Sequence, residues 1–277
     1  MLARKELPPE FVEWNKQWGA PYGHRSARLI EEGKRPVQRP AQAVADPANP
    51  DYGPFAFQHA SGTRVHEYPW MFAAAGLEPG MRVLDVGGGL SGQQFVAAKA
   101  GCEVVNVDPS ARDDYNVWTD PGYLPLSPEL HQRINDTFDT DVRLIAERIQ
   151  DADLEPESFD RVLCLSVLEH LDPAEAKEVI EVCARLLRPG GLMVLTVDLF
   201  LDLKPFGVLE ENMWGINQDV GAAIADSGLV LETGDPRELL GFPEFDLDHV
   251  VASLPEILIA PLYPVMSQSL TLRKPQT

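Results

Sequence analysis

The chain has 277 residues, of which 44% are hydrophobic, and its formal net charge at pH 7 is −20. This length is sufficient for a large buried core and fits one domain with an extension. The acidic balance argues against a nucleic-acid partner, because contacts to phosphates require clustered lysine and arginine side chains.

Cysteine content and terminal sequence bear on the cellular compartment. Cys102, Cys164 and Cys183 are too few and too scattered for a disulfide framework, which favours a reducing environment. The first residues lack the apolar core of a signal peptide, and the chain contains no run of about eighteen apolar residues. We therefore expect a cytoplasmic protein without a membrane partner.

Residues 1–60 are polar and rich in proline. Several prolines lie too close together for a long helix between them: Pro36, Pro40, Pro47, Pro50 and Pro54. The same segment holds more aromatic residues than a disordered tail normally does. We predict an irregular arm or lid that packs on the core. Residues 61–80 then supply a lead-in helix, from Thr63 to Ala75.

A strand followed by three glycines begins the next region. Val83, Leu84 and Val86 predict a buried strand, and Gly87–Gly89 allow the backbone to turn and to approach a ligand closely. Ser91 and Gln94 have the spacing of a helix-capping box. The following strand ends at Asp108, whose carboxylate can accept hydrogen bonds from both ribose hydroxyls. This arrangement predicts a cofactor that carries a nucleoside.

Alternating strand and helix patterns continue to residue 197 and predict a doubly wound α/β fold. Further strands are predicted at residues 142–146, 159–166, 192–197 and 265–272. Asp172 is a predicted helix N-cap, followed by a proline and a reciprocal glutamate. The predicted division is an arm at 1–60 and a domain at 61–277, in which 81–197 bind the cofactor and 198–277 form the substrate side and the C-terminal strands.

Five motifs occur in a characteristic order. They are Asp85-x-Gly87-x-Gly89, Asp108-Pro109, the strand Phe159–Ser166, Leu168-Glu169-His170-Leu171, and Leu187-Arg188-Pro189-Gly190-Gly191. Over about residues 80–200 the chain resembles the class I S-adenosylmethionine-dependent methyltransferases. The resemblance implies a mostly parallel seven-stranded sheet of the Rossmann-like methyltransferase type, with S-adenosylmethionine as cofactor.

The resemblance also implies a set of cofactor-binding residues. These are Asp85, Gly87, Gly88, Gly89, Asp108, Pro109, Glu147, Arg148, Ile149, Ser166 and Arg64. Asp85 would approach the methionine part of the cofactor, and the Arg64 guanidinium suits its carboxylate. Residues after the 142–146 strand would flank the adenine. Here the sequence departs from the family's usual Gly-Asp pair, so Glu147 and Asp151 are alternatives for the acid that binds the amino group.

Three histidines are candidates for a catalytic base. A hydroxyl acceptor must lose its proton, and a histidine can take it near neutral pH. His170 follows a core strand, whereas His59 and His66 lie just before the fold, where related enzymes often cover the active site. We predict no metal site.

The sequence supports methyl transfer from S-adenosylmethionine to a small molecule, with the hydroxyl of a metabolite or sugar as the favoured acceptor. Two alternatives stay open. Gly87, Gly89 and Gly92 also fit the G-x-G-x-x-G pattern of an NAD(P)-dependent oxidoreductase or epimerase, although no Tyr-x-x-x-Lys pair occurs. The other alternative is a catalytically silent protein that binds the cofactor. The sequence also leaves open whether the protein forms a homodimer.

Overall fold

The structure is a computed structural model that describes residues 1–112, 125–261 and 263–276. The helices are α1 (Pro9–Trp18), α2 (His24–Glu31), α3 (Pro40–Ala45), α4 (Arg64–Ala75), α5 (Gly92–Lys99), α6 (Pro128–Phe138), α7 (Pro173–Leu186), α8 (Val220–Ile224) and α9 (Leu247–Ser253). The strands are β1 (Arg82–Val86), β2 (Glu103–Val107), β3 (Arg143–Ile145), β4 (Phe159–Leu165), β5 (Leu187–Phe200), β6 (Glu211–Asn212), β7 (Gly215–Ile216), β8 (Val230–Thr233) and β9 (Val265–Arg273). The chain divides into two compact units, one of Pro8–Ala152 and one of Met1–Leu7 with Asp153–Thr277.

The Pro8–Ala152 unit is built on three parallel strands in the order β3-β2-β1. Helix α5 connects β1 to β2, and the carboxyl ends of these strands lead into the glycine loop and into Asp108. Helix α4 confirms the predicted lead-in helix almost residue for residue. The predicted strand at 142–146 is also present, although it is shorter at its two ends.

The arm is more regular than the sequence predicted, because it contains α1, α2 and α3. The closely spaced prolines begin only at Pro36, so they leave the first two helices intact. Trp14 of α1 contacts the rings of Phe55 and Phe72, with centroids 5.7 and 4.8 Å apart. The aromatic residues of the arm therefore pack within this unit, since rings at these separations make favourable contacts.

The second unit contains β4, β5, β9 and β8 in that order. Strands β4 and β5 are parallel, whereas β9 runs antiparallel to both β5 and β8. Strand β5 extends to Phe200 because its residues from Leu192 to Phe200 pair with β9 from Arg273 to Val265. The predicted N-cap of α7 is confirmed, since the Asp172 carboxylate accepts hydrogen bonds from the backbone N–H groups of Ala174 and Glu175.

The fold class is the predicted one, a mostly parallel seven-stranded α/β fold flanked by helices. Three of the strands belong to one unit and four to the other. Among the residues that the structure describes, no helix is long and apolar enough to cross a membrane.

Candidate cofactor site and candidate base

The glycine loop after β1 has no room for side chains. Gly87 and Gly89 have φ angles of 67° and 54°, which favour glycine. A β-carbon added to Gly88 would lie 2.4 Å from Asp85 Oδ2, and one added to Gly89 would lie 2.7 Å from Gln58 Oε1. The loop backbone therefore carries no side chains of its own, and the side chains of Asp85 and Gln58 lie against it.

Asp85, the last residue but one of β1, is fully buried beside this loop. Its Oδ1 accepts a hydrogen bond of 2.7 Å from Gln93 Nε2, while Oδ2 has no partner among the described residues. Burial raises the pKa of Asp85 to about 7. The hydrogen bond from Gln93 lowers this pKa, and the charge of the nearby Asp108 raises it. A buried carboxylate oxygen without a donor favours a cationic ligand at this position.

Asp108 joins the end of β2 to the glycine loop. Its Oδ2 accepts a hydrogen bond of 2.7 Å from the backbone N–H of Gly89. Its Oδ1 accepts from the backbone N–H and the hydroxyl of Ser110, at 2.8 and 2.5 Å. A carboxylate offers about four lone pairs, so these bonds orient the group and leave capacity for a ribose. Pro109 begins the one-turn helix that this arrangement caps.

A buried amide network below the loop was not found from the sequence. Gln94 Nε2 donates to the carbonyls of Gly89 and Ser91 at 3.0 and 3.1 Å. Its Oε1 accepts from Asn106 Nδ2 at 3.0 Å and from His131 Nε2 at 2.7 Å. Burial lowers the pKa of His131 to about 4, so the ring is neutral and acts as a donor here. The sequence feature that could have indicated this network was Asn106, a polar residue within a buried strand.

The network replaces the predicted capping box. Ser91 is the N-cap residue of α5, but its side chain makes no capping hydrogen bond. The Ser91 hydroxyl instead donates to the phenol oxygen of Tyr68 at 3.1 Å. The spacing of Ser91 and Gln94 correctly predicted where α5 begins. It gave the wrong partner for the Ser91 hydroxyl, because Tyr68 of α4 accepts that hydrogen bond.

Gln58 of the arm is a second residue that the sequence did not reveal. Its Oε1 accepts a hydrogen bond of 2.8 Å from the backbone N–H of Leu90. Two residues later, the backbone of Ala60 is held on both sides by the Gln38 side chain, at 2.7 and 2.9 Å. The arm therefore places an amide directly on the glycine loop.

The other predicted residues of this unit occupy different surroundings. Arg64 forms an ion pair with the buried Glu67 and lies 6.0 Å from the ring centroid of Tyr68. His66 is buried and packs edge-on against Phe11, with centroids 5.6 Å apart. His59 is half-buried in the segment before α4. Their roles toward a ligand remain predictions.

The predicted adenine-flanking residues lie in the turn after β3. Glu147 is exposed, Arg148 is half-buried and Ile149 is buried. The Arg148 carbonyl accepts hydrogen bonds from the N–H groups of Asp151 and Ala152, at 3.0 and 3.1 Å. These contacts do not favour either Glu147 or Asp151 as the acid that would bind the adenine amino group.

Two predicted residues belong to the second unit. Ser166 directly follows β4 with a φ of 50°, a left-handed conformation that costs energy for a serine, and its N–H donates to the Thr196 carbonyl. His170 is exposed at the end of the turn Leu168–His170, and its Nδ1 is 2.5 Å from the Trp214 carbonyl oxygen. The strained backbone of Ser166 is of a kind that clusters at functional sites.

Comparisons with known proteins agree with this geometry. A family model described as a methyltransferase domain matches residues 84–195. The ubiquinone biosynthesis O-methyltransferase of Pseudomonas paraeruginosa is 30% identical over 176 residues, which are 58% of this chain and 68% of that protein. The chain belongs to the class I S-adenosylmethionine-dependent methyltransferases. Membership in this family decides between the two predicted cofactors in favour of S-adenosylmethionine.

Other similar proteins match over different shares of their length. The protein of the same name from Stutzerimonas stutzeri is 28% identical over 55% of this chain and 66% of its own length. The chain spans less than half the length of further relatives with that name. The solved structure of the cyclase SpnF has a TM-score of 0.56 at 15% identity, covering 86% of this chain and 93% of that one. A shared methyltransferase fold therefore does not by itself fix the reaction.

The residues of the Pro8–Ala152 unit fit the methyltransferase cofactor. The Asp85 Oδ2 that lacks a donor suits the ammonium group of the methionine portion. The lack of side chains on Gly87–Gly89 allows close approach, and Asp108 at the end of β2 keeps the capacity to accept a hydrogen bond from a ribose hydroxyl. These residues would hold S-adenosylmethionine.

Proposed function

We propose that the protein transfers a methyl group from S-adenosylmethionine to the hydroxyl of a small-molecule acceptor, a metabolite or a sugar. The observation that carries the proposal is the buried Asp85 carboxylate, with one oxygen lacking a donor, beside a glycine loop that Asp108 ties to the end of β2. Relatives named as O-methyltransferases support oxygen as the accepting atom.

Each residue of the cofactor site has a defined task in this proposal. When bound, the cofactor supplies an electrophilic methyl group on a positively charged sulfur. Asp85 binds the cationic end of the methionine portion, and Asp108 accepts hydrogen bonds from the ribose. The glycine loop lets the cofactor approach the backbone closely, because Gly87–Gly89 carry no side chains. Much of the rate acceleration then comes from orientation, because the reacting atoms must be held in line.

His170 is the proposed base, with His59 and His66 as the remaining candidates. A hydroxyl is a weak nucleophile until its proton is removed, and an imidazole is suited to take that proton at neutral pH. His170 is exposed, whereas His66 is buried against Phe11, which makes His66 harder for an acceptor to reach. This contrast favours His170.

Two measurements test the proposal in sequence. Calorimetric titration with S-adenosylmethionine, S-adenosylhomocysteine, NAD and NADP should show binding of the two adenosyl ligands alone. Transfer of a labelled methyl group should then be measured against a panel of hydroxyl, amine and carbon acceptors. Transfer to hydroxyl compounds supports the proposal. Binding without transfer to any acceptor favours the catalytically silent alternative, and transfer to amines alone overturns the choice of oxygen.

A further inference from the structure

The hairpin of β6 and β7 packs against the turn that carries His170. This positioning segment comprises Asn212 to Gln218, and all its contacts described here lie within the second unit. The Trp214 carbonyl oxygen accepts the hydrogen bond from His170 Nδ1 at 2.5 Å. The segment therefore contacts the imidazole through its backbone, independently of the identity of the indole side chain.

Gly215 allows the close approach of this segment to the turn. Its φ is 141°, within the range that favours glycine, and a β-carbon there would lie 2.0 Å from the carbonyl oxygen of Glu169. That neighbour is backbone, which cannot move aside as a flexible side chain would. A larger residue at this position would push the Trp214 carbonyl away from His170.

Gln218 holds both ends of the same turn. Its side chain is almost fully buried, and Nε2 donates to the carbonyls of Leu168 and Leu171 at 2.9 and 2.8 Å. A single amide therefore fixes the backbone on either side of His170. Since buried carbonyls are costly to leave without a donor, this contact constrains the turn firmly.

Asn212 fixes the conformation of the hairpin itself. Its Oδ1 accepts hydrogen bonds from the N–H groups of Trp214 and Gly215, at 2.8 and 3.2 Å. Its Nδ2 donates to both carboxylate oxygens of Asp202, at 3.1 and 3.3 Å. The orientation of the Trp214 peptide, and with it the direction of its carbonyl, thus depends on Asn212.

We infer that the positioning segment selects the tautomer of His170 and thereby makes Nε2 the basic atom. A carbonyl oxygen only accepts hydrogen bonds, so Nδ1 must carry the proton in the neutral ring. The lone pair is then on Nε2. Asn212, Gly215 and Gln218 are positioning residues for this base, which rests on the proposed role of His170 in methyl transfer.

The same contact also supports the charged form of the base. As the acceptor oxygen forms its bond to the methyl carbon, the O–H bond breaks and the proton moves to Nε2. The electron pair of the C–S bond goes to sulfur, so the positive charge passes from sulfur to the imidazolium. His170 Nδ1 then becomes a charged donor to the Trp214 carbonyl, which strengthens that hydrogen bond.

Nuclear magnetic resonance of the whole protein, labelled with nitrogen-15 at histidine, tests the inference directly. Long-range proton–nitrogen correlations distinguish the two tautomers, and His170→Gln assigns the signals. At pH 8 and without ligands, we expect His170 to carry its proton on Nδ1. A majority of the Nε2–H tautomer would overturn the inference. A protein that shows the Nδ1–H tautomer but transfers no methyl group would refute the proposed function alone.

Variants of the segment supply the second test. Gly215→Ala should raise the fraction of the Nε2–H tautomer and lower kcat about tenfold or more, with unchanged affinity for S-adenosylmethionine. Gly228→Ala is the matched control, because Gly228 also has a positive φ but a β-carbon there meets nothing within 4 Å. If Gly215→Ala does not fold, Asn212→Ala is decisive. An unchanged tautomer in the folded variant overturns the inference.

Discussion

Replacing Asp85 by asparagine should stabilise the ligand-free protein at alkaline pH and weaken cofactor binding. Asp85 is completely buried, and burial raises its pKa from 3.8 to about 7. The folded state therefore favours the protonated form. As pH rises from the unfolded pKa through the folded one, this group progressively lowers the free energy of unfolding.

The two pKa values give the size of the effect. The linkage relation yields a destabilisation of about 1.7 kcal/mol at pH 5 and about 4.3 kcal/mol at pH 8. An asparagine does not ionise, so its own cost, including a buried amide hydrogen without an acceptor, is the same at both pH values. The stability gain of Asp85→Asn over the wild type should therefore be about 2.6 kcal/mol larger at pH 8 than at pH 5.

Urea unfolding of both proteins at the two pH values measures this difference. Asp141→Asn, at an exposed position, is the matched control and should show little change between pH 5 and pH 8. The argument fails if the stability difference between Asp85→Asn and the wild type is the same at both pH values. Affinity for S-adenosylmethionine, measured by calorimetry, should fall at pH 8 because the carboxylate that binds the ammonium is lost.

Three further substitutions test the site. Asp108→Ala should weaken S-adenosylmethionine binding by about 1.5–3 kcal/mol in calorimetry, because it removes a charged acceptor of hydrogen bonds; unchanged affinity in a folded variant removes Asp108 from the site. Gln58→Ala should weaken the same binding by about 0.5–1.5 kcal/mol, since the Leu90 N–H loses its acceptor; tighter binding would instead indicate that Gln58 blocks the loop. His170→Ala should lower kcat by about 100-fold or more while cofactor affinity stays constant, and full activity would exclude His170 as the base.

The regular elements were predictable where one physical rule dominates. The Asp172 cap, the glycine loop and the last strand each depend on local sequence, and the structure confirms all three. The helices of the arm were missed because the proline-rich half hid the helical spacing of Phe11, Trp14 and Trp18 in the other half. Local rules therefore gave the correct result for these three features, whereas they failed for the helices of the arm.

The surroundings of the site were less predictable because they depend on contacts between distant residues. Gln58 and Leu90 are 32 positions apart, and His131 and Gln94 are 37 apart. No spacing rule links such pairs. The positive φ of Ser166 is likewise imposed by the strands around it, since serine has no intrinsic preference for that conformation. The sequence thus supplied candidate cofactor residues without revealing the contacts that hold them in place.

If Asp85 binds the ammonium group as proposed, its high pKa couples cofactor binding to the release of a proton. At pH 7 about half of the carboxyl groups carry a proton, and a cation that binds there favours the ionised form. Each binding event at that pH should then release about half a proton to the buffer. The amides below the loop are uncharged and His131 is already neutral at that pH, so they add nothing to this exchange. The fraction of enzyme that holds cofactor would then fall as the pH falls, even at constant cofactor concentration.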